Sequence, residues 1–153
     1  MSPNPTNGFT DGPGPTKTTY FLFGLTTKSV AELALFDRSW LKPAELTISG
    51  GSFTQTYDAS QRAYILSPKT IAKVSRQGKL ELTVAASEES PTVNPAFVIR
   101  NWGDSTAKLK WNGRAVPQSS FRTGSVHRLD GTDLVIWIQR DATSPFRLSV
   151  SRM

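Results

Sequence analysis

Residues 94–150 read NPAFVIRNWGDSTAKLKWNGRAVPQSSFRTGSVHRLDGTDLVIWIQRDATSPFRLSV, and the rhythm of this stretch decides the fold. Short apolar runs break at Trp102-Gly103-Asp104, Asn112-Gly113, Thr123-Gly124 and Asp130-Gly131. Glycine beside Asn or Asp gives the backbone the positive φ that tight antiparallel connections require. Between two such turns Ala107, Leu109 and Trp111 alternate with Lys108 and Lys110, the pattern of a strand with one dry face and one wet face. Strands are expected at 96–101, 107–111, 120–129, 134–140 and 146–151. Their spacing of roughly eight to twelve residues predicts an all-β, antiparallel β-sandwich of jelly-roll-like form.

The upstream sequence extends this pattern. Leu80, Leu82 and Val84 alternate with Lys79, Glu81 and Thr83; Tyr64-Ile65-Leu66 precedes Ser67-Pro68; Leu46 and Ile48 precede Gly50-Gly51, with Phe53 and Tyr57 beyond. The unbroken apolar run Tyr20-Phe21-Leu22-Phe23-Gly24-Leu25 is expected to be a central strand buried on both faces. Residues 30–41, VAELALFDRSWL, are ambiguous. Val30, Leu33 and Asp37 or Trp40 follow helical spacing, Leu33 and Leu35 suggest a strand, and Pro43 stops either. One short helix, if present, belongs there. Residues 2–16 carry four prolines and three glycines, so 1–16 is expected to be a linker or tail and 17–153 a single domain.

A chain of 153 residues suits one domain with a real core. It has no cysteine, which removes disulfides and thiolate metal sites. No run approaches the roughly 18 apolar residues of a membrane span, and Met1-Ser2-Pro3-Asn4 lacks the order of a signal peptide. That start reads as an entry from a longer parent chain and therefore says little about secretion. The net charge is +6 and lies mostly at one end: residues 98–153 hold nine Lys/Arg against four Asp/Glu, whereas 1–97 hold nine against eight. Such a surplus favours an anionic partner.

Catalytic chemistry finds little support. A nucleophilic triad needs a histidine base held by a carboxylate, and the single histidine, His127, sits in Ser125-Val126-His127-Arg128 without a nucleophile motif. Asp130 with Asp133, or Glu88 with Glu89, are nominal acid/base pairs, but Asp130-Gly131-Thr132-Asp133 reads as a turn and Glu88-Glu89-Ser90-Pro91 as a solvated loop. No oxygen-rich calcium loop is spelled out, so neither metal nor cofactor is expected.

The tryptophans and the basic residues carry the functional expectation. Trp111 shares its face with Leu109 and belongs to the core, as does Trp137 inside Leu134-Val135-Ile136-Trp137-Ile138. Trp102, at a turn between Asn101 and Gly103, and Trp40, between Arg38 and Lys42, are candidates for stacking on a sugar ring. Arg100, Lys108, Lys110 and Arg114, with Arg122 and Arg128 beyond, could form a basic strip, and Asn101 and Asp104 could bond hydroxyls. The bland reading of the strip is a solvated sheet face with lysines guarding an edge. No nucleic-acid-binding signature accompanies it.

Taken together, Arg38-Ser39-Trp40-Leu41, Gln61-Arg62-Ala63-Tyr64, the stretch from Asn94 to Gly103, and Leu129 through Trp137 resemble the carboxy-terminal β-sandwich modules of large secreted bacterial polysaccharide-degrading, lyase-like proteins. The likeness spans residues 20–150 and rests on strand-and-turn patterns. It implies an extracellular setting, a non-catalytic carbohydrate-binding or scaffolding role, and an upstream catalytic domain as partner; it assigns no ligand residues. The resulting expectation is a monomeric carbohydrate-binding module for an acidic polysaccharide, with no nucleic-acid or membrane partner. The alternatives are a structural accessory domain and a small polysaccharide-active enzyme.

Overall fold

A computed structural model describes residues 26–49, 53–70 and 79–153. The run at 20–25 and the tail at 1–16 lie outside the described residues.

The ambiguous stretch is a helix, α1, Val30–Leu41. Its start is fixed by a capping box: the Glu32 backbone N–H donates to Ser29 Oγ at 3.3 Å, and the Ser29 N–H donates to Glu32 Oε2 at 2.7 Å. The Ser29 N–H, and after it the Ser29 hydroxyl donating to Glu32 Oε2 at 2.8 Å, hold the Glu32 carboxyl below its ordinary range. The Lys42 N–H closes the far end on Arg38 O at 2.9 Å, and Pro43 follows.

Two five-stranded sheets make up the body. The first contains β1 (Leu46–Ile48), β4 (Lys79–Val84), β7 (Ala107–Trp111), β8 (Arg114–Ala115) and β12 (Phe146–Arg152), in the order β1-β4-β12-β7-β8, antiparallel throughout. The second contains β2 (Phe53–Asp58), β3 (Ala63–Pro68), β6 (Ala96–Ile99), β9 (Phe121–Arg128) and β10 (Gly131–Ile138), in the order β2-β3-β6-β10-β9. A two-residue ladder joins β5 (Thr92–Val93) to β11 (Asp141–Ala142). The expected all-β sandwich is therefore present, with one parallel pair, β3 beside β6. The chain between those two strands visits the first sheet as β4, so it returns to the second sheet running in the same direction.

The core is one cluster drawn from both inner faces. Leu82, Val84, Leu109, Phe146, Leu148 and Val150 of the first sheet meet Leu66, Phe97, Ile99, Leu134, Ile136 and Ile138 of the second. Trp111 stacks on Phe146 with ring centroids 3.7 Å apart and planes 13° from parallel. This burial is the main source of stability. Tyr64, also buried, donates its phenol proton to Ala44 O at 2.6 Å.

Three sequence expectations change here. Trp137 does not face the core. Leu134, Ile136 and Ile138 take the inner positions of β10, so Trp137 points outward, half-buried, with the Arg122 guanidinium 5.7 Å from its ring centroid. The apolar run is continuous because the outward face of the second sheet carries its own small cluster of Ala63, Ile65 and Val98, with Ala96 and Val135 against it. Asp133 is not a turn residue. The β9–β10 turn is Leu129-Asp130, and β10 begins at Gly131, where φ is 151° and an added Cβ would strike the Asn101 side chain. Trp102 is the third: it is buried in the core cluster.

Two outcomes follow. Leu148→Ala should cost about 2–5 kcal/mol in urea unfolding, through lost burial and a residual cavity. Lys110→Ala, on the wet face of the neighbouring strand, should change stability by no more than about 0.5 kcal/mol. Burial raises the Tyr64 phenol well above the ordinary tyrosine value, with the neighbouring Tyr57 phenol as a second cause, and Tyr57 is itself raised by burial. A group whose folded pKa is raised contributes stability that is complete below its unfolded value of about 10 and is lost as pH climbs beyond it. Unfolding midpoints should therefore be flat near neutrality and fall above about pH 10. Tyr64→Phe should flatten most of that alkaline fall.

Candidate functional site

Strand alternation builds a solvent-facing, cationic surface on the first sheet. Leu109 and Trp111 of β7 point inward, so Lys108 and Lys110 point outward. β12 lies beside β7 in register Ser149↔Lys110 and Ser151↔Lys108, and β4 lies beyond it with Ser149↔Glu81 and Ser151↔Lys79. Two rows result, Glu81–Ser149–Lys110 and Lys79–Ser151–Lys108, with adjacent strands about 4.8 Å apart. Arg147 stands in the next row of β12, beside Asn112, whose side-chain carbonyl accepts the Arg147 backbone N–H at 2.7 Å. A shallow groove of about 520 Å³ runs between Lys79, Glu81, Lys110, Asn112, Arg147 and Ser149.

Glu81 is the acidic group within this groove. Its carboxylate lies 2.5 Å from Lys79 Nζ and accepts the Ser149 hydroxyl at 2.8 Å. The Lys79 bond, then the Ser149 bond, hold its pKa below the usual range, so it stays charged at neutral pH. Lys108, Lys110 and Arg147 have no carboxylate within 4.0 Å among the described residues. Trp40, the aromatic among the exposed large apolar residues of the described chain, stands on α1 and not on these strands. It is suited to long-range attraction of anionic groups and to hydrogen bonding, not to ring stacking.

The other expected site residues stand elsewhere. Arg114 is exposed on the edge strand β8, and its pairing with the inward-facing Trp111 puts it on the opposite face of the sheet from Lys110. Asp104 is exposed on the β6–β7 connection. Trp40 sits on α1, 41 % exposed, with its indole N–H donating to Ala59 O at 3.2 Å. Trp102 is 2 % exposed and plugs an end of the core, which withdraws it as a stacking residue. Its indole N–H donates to Ser105 O at 3.1 Å, its carbonyl accepts from Arg152, and the Arg152 guanidinium lies 5.1 Å from its ring centroid. A turn beside glycine allows an indole to fold inward as readily as outward, and burial of a large apolar ring selects the inward position.

Arg100 and Asn101 serve a buried carboxylate. Asp133, 1 % exposed, accepts Arg100 Nη1 at 3.0 Å and Arg128 Nε at 2.6 Å on one oxygen, and the Asn101 backbone N–H at 3.1 Å on the other. Asn101 has φ 55°, and this left-handed bend turns its N–H toward the carboxylate. Both arginines are thereby committed to the fold. The exposed His127 on β9 places Nδ1 3.2 Å from the hydroxyl of its cross-strand partner Thr132. Among the described residues no three His, Asp or Glu side chains group as a metal site would require.

The sequence reading found Lys108 and Lys110 but missed Lys79 and Arg147. Each shows as the charged member of an alternating run, yet only the strand order sets β4 and β12 beside β7. No family model, curated protein or solved structure matches the chain, so geometry alone carries the functional argument.

Removing the Asp133 carboxylate would leave two arginines without their shared partner. Asp133→Ala should destabilise the domain by about 3 kcal/mol in urea unfolding. Arg128→Ala should cost less than about 1 kcal/mol, because Arg128 is nearly half solvated and Arg100 remains on the carboxylate.

Proposed function

We propose that this domain is a non-catalytic carbohydrate-binding module whose cationic first-sheet face receives an anionic polysaccharide. The observation that carries the reading is the convergence of Lys108, Lys110 and Arg147 on one open face with no neutralising carboxylate of their own among the described residues. A flat groove suits an extended polymer better than an enclosed small molecule, which would need a deeper apolar pocket. Serine hydroxyls and the Asn112 side chain lie among the cations and can bond sugar hydroxyls, while lysine and arginine attract carboxylates or sulfates. Trp102, Arg100 and Asn101 drop out of the proposed contact set, as does Arg114, whose pairing with Trp111 turns it to the opposite face of the sheet; Trp40 and Asp104 lie apart from the groove. Affinity at such a shallow site is modest, because a solvated face gains little from desolvation.

A second reading has its own observation. Val30, Leu33, Trp40 and Leu41 are all exposed on α1, an apolar surface that suits packing against the catalytic domain of a longer parent chain. In that reading the domain is an accessory element and the first-sheet face is simply solvated.

Affinity electrophoresis separates the two. Retardation by alginate or pectin, absent with a neutral glucan and weakened by added salt, is expected for the sugar-binding reading. A Lys108→Ala/Lys110→Ala double variant should bind roughly five- to tenfold more weakly. Unchanged retardation in that variant removes the first-sheet face from the account, and no retardation by any acidic polymer leaves the accessory reading.

A further inference from the structure

A second polar site lies away from the first-sheet groove, under the end of α1. The turn between β2 and β3 places Arg62 in the left-handed region, φ 52°, and sends its guanidinium beneath the helix. Its Cζ sits 4.0 Å from the Phe36 ring centroid and 5.6 Å from that of Trp40, and Nη2 donates to Ser39 Oγ at 3.0 Å. The Ser39 hydroxyl donates onward to Phe36 O at 2.6 Å, so the helix backbone fixes the orientation of that contact. Arg62 Nε is buried and has no hydrogen-bond partner.

Thr92 Oγ1 of β5 is in the same condition. Thr92 is 4 % exposed, and its hydroxyl is buried with no partner. Both side chains line one small pocket, with Tyr57, Tyr64, Ser39 and Pro95 forming the rest of its wall. Burial raises the Tyr57 phenol above its ordinary value, so it remains protonated and able to donate. The space available is about 20 Å³, room for a single oxygen atom at its deepest point.

The wall carries a positive charge and no negative one: Arg62 Nε can only donate, the Thr92 hydroxyl can donate or accept, the Tyr57 phenol lies close enough to the guanidinium that Arg62 lowers its pKa against the larger effect of burial, and no carboxylate among the described residues lies within 4.0 Å of Arg62. Arg62 is partly exposed, but its Nε is buried, and each unpaired buried polar atom is costly. Water would satisfy the two hydrogen bonds without touching the charge. A carboxylate oxygen satisfies both, and its remaining atoms can stay in the open mouth of the pocket. We propose that the pocket between Arg62 and Thr92 is a carboxylate seat, taking one oxygen of a small organic acid or of a uronate unit at the guanidinium Nε–H and the Thr92 hydroxyl.

This site shares no residue with the first-sheet face, so it stands or falls independently of the polysaccharide reading. Arginine Nε–H groups give their own signals in proton–nitrogen correlation spectra, and the Arg62 signal is the direct probe. Titration with acetate, glucuronate and a galacturonate oligomer should shift it saturably, whereas equal ionic strength of sodium chloride and a neutral methyl glucoside should not. Acetate and the oligomer acting equally would identify a free acid as the ligand; a tighter oligomer would identify the uronate unit. Thr92→Val, nearly isosteric, should weaken the effect about three- to tenfold. Arg62→Lys should abolish it, read at the Trp40 indole signal. The Lys108→Ala/Lys110→Ala variant should leave the shift unchanged. An Arg62 signal that fails to respond to any carboxylate means that water alone fills the pocket and overturns the proposal, as does a response of equal size to chloride or an unweakened response in Thr92→Val.

Discussion

The carboxylate of Asp133 is the point on which the arrangement of charge in this molecule turns. A carboxylate withdrawn from water to 1 % exposure survives only if its lone pairs are filled by donors, and here two guanidinium groups and a backbone N–H fill them. Those donors come from the end of β6, from Asn101 just beyond it, and from the end of β9, so one side chain of β10 ties both of its neighbours in place. The bend at Asn101 that delivers its N–H also starts the turn that carries Trp102 into the core, where Arg152 of β12 in the other sheet caps the Trp102 carbonyl. The end of the sandwich is thus closed by polar bonds radiating from a buried acid and by a sealed indole.

That commitment decides where free cations remain. Arg100 and Arg128 belong to Asp133, and Arg122 lies over the half-buried ring of Trp137, an arrangement that favours both groups. The basic residues of the second sheet are therefore engaged within the fold. On the first sheet the same excess of positive charge is borne by Lys108, Lys110 and Arg147, which project from strands whose other faces carry Leu109, Trp111, Phe146 and Leu148. Core and cationic face are two consequences of a single period: the alternation that stacks Trp111 on Phe146 leaves Lys110 and Arg147 no direction but solvent.

This division marks what could be read from sequence. Alternation in 80–84 and 107–111 gave those strands of the first sheet and their inward residues, because a half-solvated strand writes its register in its composition. The helix over 30–41 was ambiguous on periodicity, yet Ser29-Val30-Ala31-Glu32 spells a capping box that would have decided the question. The second sheet was harder, since Ile65, Val98 and Val135 form an apolar cluster on its outward face and erase the alternation that would have shown Trp137 pointing away from the core. Asp133 was misread because Asp-Gly is a strong turn signal, and only the pairing of Gly131 with Arg128 shows that the strand has already begun. Convergence of Lys79 and Arg147 with the lysines of β7 depends on strand order, which sequence spacing does not encode.

The pocket beneath α1 arises from the same kind of long-range meeting. Arg62 is brought there by a left-handed turn, Ser39 by the last helical turn, and Thr92 by a two-residue strand that exists only because β11 pairs with it. None of these segments is near another in the chain, and nothing in the local sequence marks Arg62 as different from an exposed arginine. What distinguishes it is packing: the Phe36 ring covers one face of the guanidinium and Ser39 holds one edge, so the remaining Nε–H cannot turn to water. On the first-sheet face the cations keep their hydration and attract from a distance, with a strength that salt screens. Under the helix the Arg62 Nε–H is shut away from water, and a well-placed acceptor gains more there because it competes with less solvent. The two places therefore differ in kind: one spreads solvated charge over an open sheet face, while the other holds a single buried donor in fixed geometry.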